Sequence, residues 1–520
     1  LVPNKDLSRP NYNGELVYKP QQLGKLIKAK PIMDNHKMEL NFLIPDDLED
    51  KWDTKPNGYF SHLVGHESKG SIIYYLKQKG WATDLSAGAM TVCQGTSNFY
   101  IEFQLTPKGF ENWQEIIVIT FQYLNFITND EPQKWIWDEI EEMSQVNFKF
   151  KQKMEASKTV STLSNKLYKF DEYIPASYLL SSAIVRKFDP EAIKRFGSYF
   201  TPENLRITLA SQLLTGLNKQ EKWYGTEYEY DDIPQELIHQ IKSQPYDNNQ
   251  NLHYPRPNHF IPTNFDVTKP KLKHPQVAPY LIEHNNKINV WYKQDDTFEV
   301  PKGSIEVAFH LPSSNTDINT SVMSNLAIEM LDDELNELTY FAELVGLKVK
   351  LHAWRDGFLI NVSGYSHKLS NLLQEVLNNF FQFKPKQDRF ESIKFKLLKN
   401  FKNFGFQVPF QQVGVYHLQL LNDKLYQQDD KIEALEKVTY EDVYQHFTQN
   451  IWQLGIFAEV LIHGNFDFAQ SKQIRDIINE SMENVKPWME KYNEEQFHLQ
   501  SYVLQPNETI RYEVPLKDFA

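Results

Sequence analysis

Phe99–Ile117 (FYIEFQLTPKGFENWQEII) can be laid on Phe358–Val376 (FLINVSGYSHKLSNLLQEV) without a gap. An alternating, strand-like run falls on another, a turn falls on a turn, and a helix-periodic run falls on its counterpart. A later strand signal, Leu205–Leu209 (LRITL), answers to Val460-Leu461-Ile462 at nearly the same offset. A chain that repeats itself at this spacing has to build two cores of one design. The 520 residues accommodate that, because roughly 100–200 residues per domain gives a prior of two to four domains.

What lies between the copies supports the same division. From Gln244 to about Pro279 come Pro245, Pro255, Pro257, Pro262, Pro270, Pro275 and Pro279 among Asn, His and Lys. So much proline continues neither a helix nor a central strand, and predicts an extended connector. The expected organisation is a first unit over 1–250, a connector over 251–285, a second unit over 286–510 and the start of a further linker at 511–520. In the first unit Ser71–Gln78 reads as a helix start and Phe99–Leu105 as a half-buried strand. Trp113–Ile127 reads as a mostly buried helix, and Glu131-Pro132 opens another past Trp135, Ile136, Ile140 and Met143. In the second, Ile305–Leu311 reads as a strand and Ser321–Leu344 as one long helix. A strand follows at Phe358–Gly364, with helices near Leu369–Phe381 and Arg389–Phe404. The pattern predicts an α+β class, with helices packed on a mainly antiparallel or mixed sheet rather than a doubly wound parallel one.

Charge and cysteine usage narrow the function classes. Lys+Arg 55 against Asp+Glu 68 gives a net charge of −13, which argues against nucleic acid or an anionic membrane as a partner. A single cysteine, Cys93, rules out an intrachain disulfide and a thiolate metal cluster, and suits a reducing compartment such as the cytoplasm. No apolar run approaches the roughly 18 residues of a membrane span. The start at Leu1 and stop at Ala520 read as cut ends of something longer. No GxxxxGK[ST], GxSxG or HExxH motif is present, so no catalytic residue is expected in this chain.

The most informative segment is Gly58–Trp81, GYFSHLVGHESKGSIIYYLKQKGW. His62 and His66 stand four apart, which on one helix face is the spacing of a metal-binding pair. In the inverted zinc motif H-x-x-E-H a Glu precedes the second His; here that position is Gly65. A third, carboxylate ligand is due near Met143–Phe150, where the best-aligned residue is Lys149, a cation. His62, Gly65, His66 and Lys149 thus read as a degenerate metal motif that binds no metal. The plain alternative is a pair of hydrogen-bonding histidines at a helix start. Other standouts read as structure. Trp135 and Trp137 cannot share a helix face, and Tyr224, Tyr228 and Tyr230 form an aromatic surface segment. Asp332-Asp333-Glu334 reads as a solvated face or a chamber lining, and Lys396, Lys399 and Lys402 as solvated lysines.

SHLVGHESKGSIIYYLKQKGW, WYGTEY at Trp223–Tyr228, FIPTNF at Phe260–Phe265, WYKQDDTF at Trp291–Phe298 and LIHGN at Leu461–Asn465 carry a resemblance that runs almost end to end. They resemble the pitrilysin-type zinc metallopeptidase family, in particular its insulin-degrading and fungal a-factor-processing branch. The resemblance implies four homologous α+β units in one polypeptide, of which this chain is similar to the second and third, both inactive. The zinc-bearing first unit and the fourth would lie outside it, and zinc would be a cofactor only of the longer protein. It also implies an exosite for the N-terminal end of a peptide, built from Gly65, His66 and Glu67 with the strand Leu85, Ser86, Ala87, Gly88 and Ala89. The family more usually has two glycines where Ala87 and Gly88 stand. The implied function is the non-catalytic middle half of a metalloendopeptidase that acts on pheromone-precursor or insulin-like peptides in a closed chamber. Its implied partners are peptide substrates, the remaining units and a second copy in a homodimer. The alternative is a catalytically inactive peptide-binding or scaffold protein of the same fold.

Overall fold

The computed structural model describes residues 16–45, 48, 50–93, 95–244, 246, 251–270, 276–354, 356–488 and 501–514, apart from the side chains at 168–173. It divides into two compact units, Leu1–Pro257 and Asn258–Ala520.

The first unit is a seven-stranded mixed sheet with helices on it. Its strands are β1 Lys25–Ala29, β2 His36–Ile44, β3 Ala82–Cys93, β4 Thr96–Leu105, β5 Leu205–Ser211, β6 Lys219–Gln220 and β7 Glu227–Asp232, in the order β3-β4-β2-β5-β1-β7-β6. Only β1 and β5 run parallel. Along β2 the buried residues His36, Met38, Leu40 and Phe42 alternate with half-buried Lys37, Glu39 and Asn41, so one face is core and the other is polar. Against the core face lie α1 Pro56–Val64, α2 Ile72–Lys79, α3 Trp113–Asn129, α4 Lys134–Lys149, α5 Pro190–Gly197 and α6 Gln235–Ser243. In α3 every residue from Ile116 to Leu124 is buried, as an apolar run spread around most of the helix requires. Phe200 anchors an aromatic cluster, with ring centroids 5.0 Å from Phe99 and 5.1 Å from both Phe42 and Phe60. Trp137 is buried and Trp135 only partly so.

The second unit repeats the plan. Its strands are β8 Tyr280–His284, β9 Ile288–Gln294, β10 Lys302–His310, β11 Lys348–Trp354, β12 Gly357–Tyr365 and β13 Phe457–Gly464, in the order β11-β12-β10-β13-β9-β8. Its six positions match the first six of the first sheet, with no counterpart to β6, and include the single parallel pair, β9 with β13. Its helices are α7 Ile318–Glu334, α8 Asn336–Leu344, α9 Ser366–Gln382, α10 Gln387–Phe404, α11 Gln428–Lys437, α12 Tyr440–Thr448 and α13 Phe468–Ser481, among others. The helix expected over Ser321–Leu344 is two, broken at Leu335, where ψ flattens to −4° at φ −80° within the right-handed region. Asp332 and Glu334 lie on a solvated face as expected, but Asp333 is half-buried and paired. Arg389 donates to both Asp333 oxygens at 2.8 and 2.9 Å, and Lys386 Nζ reaches Glu334 at 2.6 Å. Lys396 and Lys402 also pair, with Glu329 and Glu436, each at 3.2 Å.

Residues 251–270 carry neither helix nor strand, yet they are well anchored. Leu252 is fully buried in the first core, and His253 N–H donates to Gly70 O at 3.0 Å. Within the second unit Asn258 Nδ2 donates to Phe341 O at 2.7 Å. Asn465 grips the segment from both sides, donating to Asp266 O and accepting from Thr268 N–H.

Candidate functional site

α1 begins at Pro56, whose fixed φ suits a first helical position, and ends at Gly65. His62 therefore occupies the last turn and His66 lies beyond the helix, so the pair sits at a helix end and not at a start. The chain turns back through Ser68 and enters α2, where Ser71 Oγ caps the Tyr74 N–H at 3.2 Å. Lys77 of α2 reaches back to Glu67 at 3.1 Å, tying the turn to the second helix. After Gly80, which closes α2 with φ 68°, the chain runs into β3.

The two segments expected to form one site meet here. A Cβ placed on Gly65 would lie 3.8 Å from Ala87 N and 3.9 Å from Ala87 Cβ, but only 2.8 Å from Ser61 O. Glycine lets the helix end abut the strand; a Glu at this position would have to push the Ser61 carbonyl aside. β3 is the terminal strand of its sheet, and its register with β4 is unbroken from Asp84 to Thr91. Ala87 and Ala89 pack against the core, while Ser86 is exposed. On the strand's other face Gly88 carries the Tyr100 phenol, whose oxygen would stand 3.0 Å from any Cβ there. Leu85 is 4% exposed and fixes the strand's depth.

His66 does not present its imidazole to solvent. It is 1% exposed, and its Nδ1 accepts from the Ser68 backbone N–H at 3.2 Å with Ser68 Oγ 2.9 Å away, which places the ring proton on Nε2. Burial pushes its pKa down to about 2, helped by the neighbouring His62, and burial takes His62 to about 4. Both rings are neutral at pH 7. Their centroids are 5.4 Å apart at 84°, edge to face.

As a zinc site these residues do not fit. One nitrogen of His66 is engaged by Ser68, and Gly65 offers no carboxylate. Lys149 is exposed, with its ammonium 5.2 Å from the Phe150 ring. Among the described residues no group of three or more His, Cys, Asp or Glu is placed to hold a metal ion. What the segment offers a ligand is main chain and the Glu67 carboxylate. Two features were missed in the sequence: Met90, 56% exposed, and Val92, 41% exposed, continue the same edge. The alternation Ser86-Gly88-Met90-Val92 was the available signal.

Two family models match the chain: "Peptidase M16 inactive domain" over residues 2–143, and "Middle or third domain of peptidase_M16" over residues 148–434. The chain belongs to the M16 peptidase family. The second model crosses the division at Pro257, yet β5 and β7 within its range pair into the first M16 sheet. Among curated proteins, the A-factor-processing enzyme of Saccharomyces cerevisiae is 36% identical over 99% of this chain and 49% of its own length. Human insulin-degrading enzyme is 32% identical over 99% of this chain and 49% of its own length. The chain thus spans about half the length of the curated relatives it matches. The crystal structure of pitrilysin superposes with a TM-score of 0.66 at 22% identity, covering 94% of this chain and 51% of that one, so the fold is shared. No helix among the described residues is long and apolar enough to cross a membrane.

Proposed function

We propose that this M16 chain is the non-catalytic middle half of a zinc metalloendopeptidase, and that β3 anchors one end of a peptide substrate by strand addition. The observation that carries the reading is the open edge of β3, unbroken in register from Asp84 to Thr91 and met at its centre by the Gly65 turn. An unpaired edge displays a row of N–H and C=O groups that a peptide backbone can complete, which gives affinity with little side-chain preference. Glu67 stands at the same turn, where a carboxylate suits a peptide's terminal ammonium. Anchoring one end restricts the motion of the scissile bond relative to a distant centre. In this reading the catalytic zinc is held by residues outside this chain, and both units contribute wall to an enclosing chamber. The names of the relatives point to pheromone-precursor or insulin-like peptides as the substrate class.

Proline scanning tests this. Successive N–H groups of a strand point to opposite sides, so of Ser86→Pro and Ala87→Pro one removes an outward donor and the other a bond to β4. The outward variant should keep native near-UV circular dichroism and bind a fluorescent peptide with a free N-terminus severalfold more weakly. Two natively folded variants with wild-type affinity would sink the assignment.

A further inference from the structure

A cavity confined to the second unit has no part in the exosite. It has a volume of about 400 Å³, within the range of small-ligand pockets. Its lining includes Ser314, Ser321, Trp354, Lys424, Tyr426 and Lys431. We infer that it binds a small molecule bearing a carboxylate or phosphate group.

Three observations converge. Ser314 is among the lining residues and is 1% exposed, and among the described residues its buried hydroxyl has no hydrogen-bond partner. A buried hydroxyl left unpaired is costly, and a ligand oxygen would satisfy it. Among the described residues neither Lys424 nor Lys431 pairs with a carboxylate, and the Lys431 ammonium has as its one partner there the Phe401 ring at 5.7 Å. Two carboxylates lie near Tyr426, whose pKa burial raises first and they raise further: Asp423, and Asp317, which caps α7 by accepting from the N–H groups of Asn319 and Thr320. Burial lowers the pKa of Lys431, a cost that a bound anion would relieve. Lys424 holds its place with φ at 57°, a left-handed conformation uncommon for a residue with a side chain. Trp354 and Tyr426 supply aromatic wall for the body of the ligand.

Calorimetric titration of the 520-residue chain with N-acetylphenylalanine, its amide and phenyl phosphate tests the inference. At least one of the two anions should bind, and the neutral amide about tenfold more weakly or not at all, the difference a charge-assisted hydrogen bond makes. Whichever anion binds identifies the source of the oxyanion. Lys431→Gln should cost that anion about tenfold in affinity and Ser314→Ala about threefold, with near-UV circular dichroism unchanged. Lys424→Gln, on an exposed side chain, serves if Lys431→Gln fails to fold. No binding by either anion at millimolar concentration would overturn the inference. So would equal binding of the amide, or affinity indifferent to both lysine variants.

Discussion

A histidine that cannot hold a proton in the folded state weakens the protein in acid. His66 has a folded pKa of about 2 against an ordinary value near 6.5, so between those values the unfolded chain binds the proton and the folded one does not. Stability contributed by the neutral ring is present above about pH 6.5 and is lost progressively as pH falls toward the folded pKa. At pH 5 the loss amounts to about 2 kcal/mol from this residue. His62, with its folded pKa near 4, adds to it in the upper part of the same window. His66→Asn keeps an acceptor near the Nδ1 position for the Ser68 N–H and removes the titration. Urea unfolding midpoints should fall from pH 7 to pH 5 more steeply in the wild type than in the variant; equal slopes would show that the acid sensitivity arises elsewhere. The sequence displayed His62, Gly65 and His66 plainly, because a four-residue spacing and a missing carboxylate are readable without coordinates. That His66 lies past the helix, with its ring under Ser68, was hidden, because where a helix ends depends on how closely Gly65 approaches Ala87.

At the scale of elements, strands and buried helices were legible where one period dominates. Phe99–Leu105 lies in β4 and Trp113–Ile127 in α3, since alternation and all-round apolarity each admit a single reading. The pairing of charges was not legible. Asp333 and Glu334 are adjacent on α7 and look alike in sequence, yet they lie in different environments. Asp333 holds the α10 residue Arg389 in a two-bond pair with side chains 19% and 9% exposed, whereas Glu334 and Lys386 are 36% and 56% exposed. Removing one partner of a desolvated pair strands the other charge, so Asp333→Ala should cost on the order of 3 kcal/mol. Glu334→Ala should cost about 0.5 kcal/mol or less, as solvent screens that pair. Urea denaturation of the two variants under one buffer separates them; equal costs would mean that the Arg389 pair is as well solvated as its neighbour.

The whole chain is one sheet design used twice, and the duplication was visible because β4 with the turn after it and β12 with α9 keep a common register: Pro107, opening the helical turn after β4, answers to Ser366. What the repeat concealed is how each sheet is finished. Beside β1 the first unit sets β7, which follows all the other main strands in sequence, whereas beside β9 the second sets β8, which precedes them. The chain therefore closes the first sheet before it opens the second, and among the described residues no strand is exchanged between them. Strands β1 to β7 pair only with one another, as do β8 to β13. Each unit also has its own helix-covered core, so residues 1–257 and 258–520 should fold as separate polypeptides. Each fragment is expected to show a cooperative urea transition and a structured near-UV spectrum. A fragment that kept its far-UV signal but lost the near-UV one would have collapsed without packing, and its core would then depend on the other unit. If both fold, the peptide edge and the lysine-lined cavity can be assigned independently, because peptide affinity should travel with 1–257 and anion affinity with 258–520. The opposite partition would refute both site assignments at once.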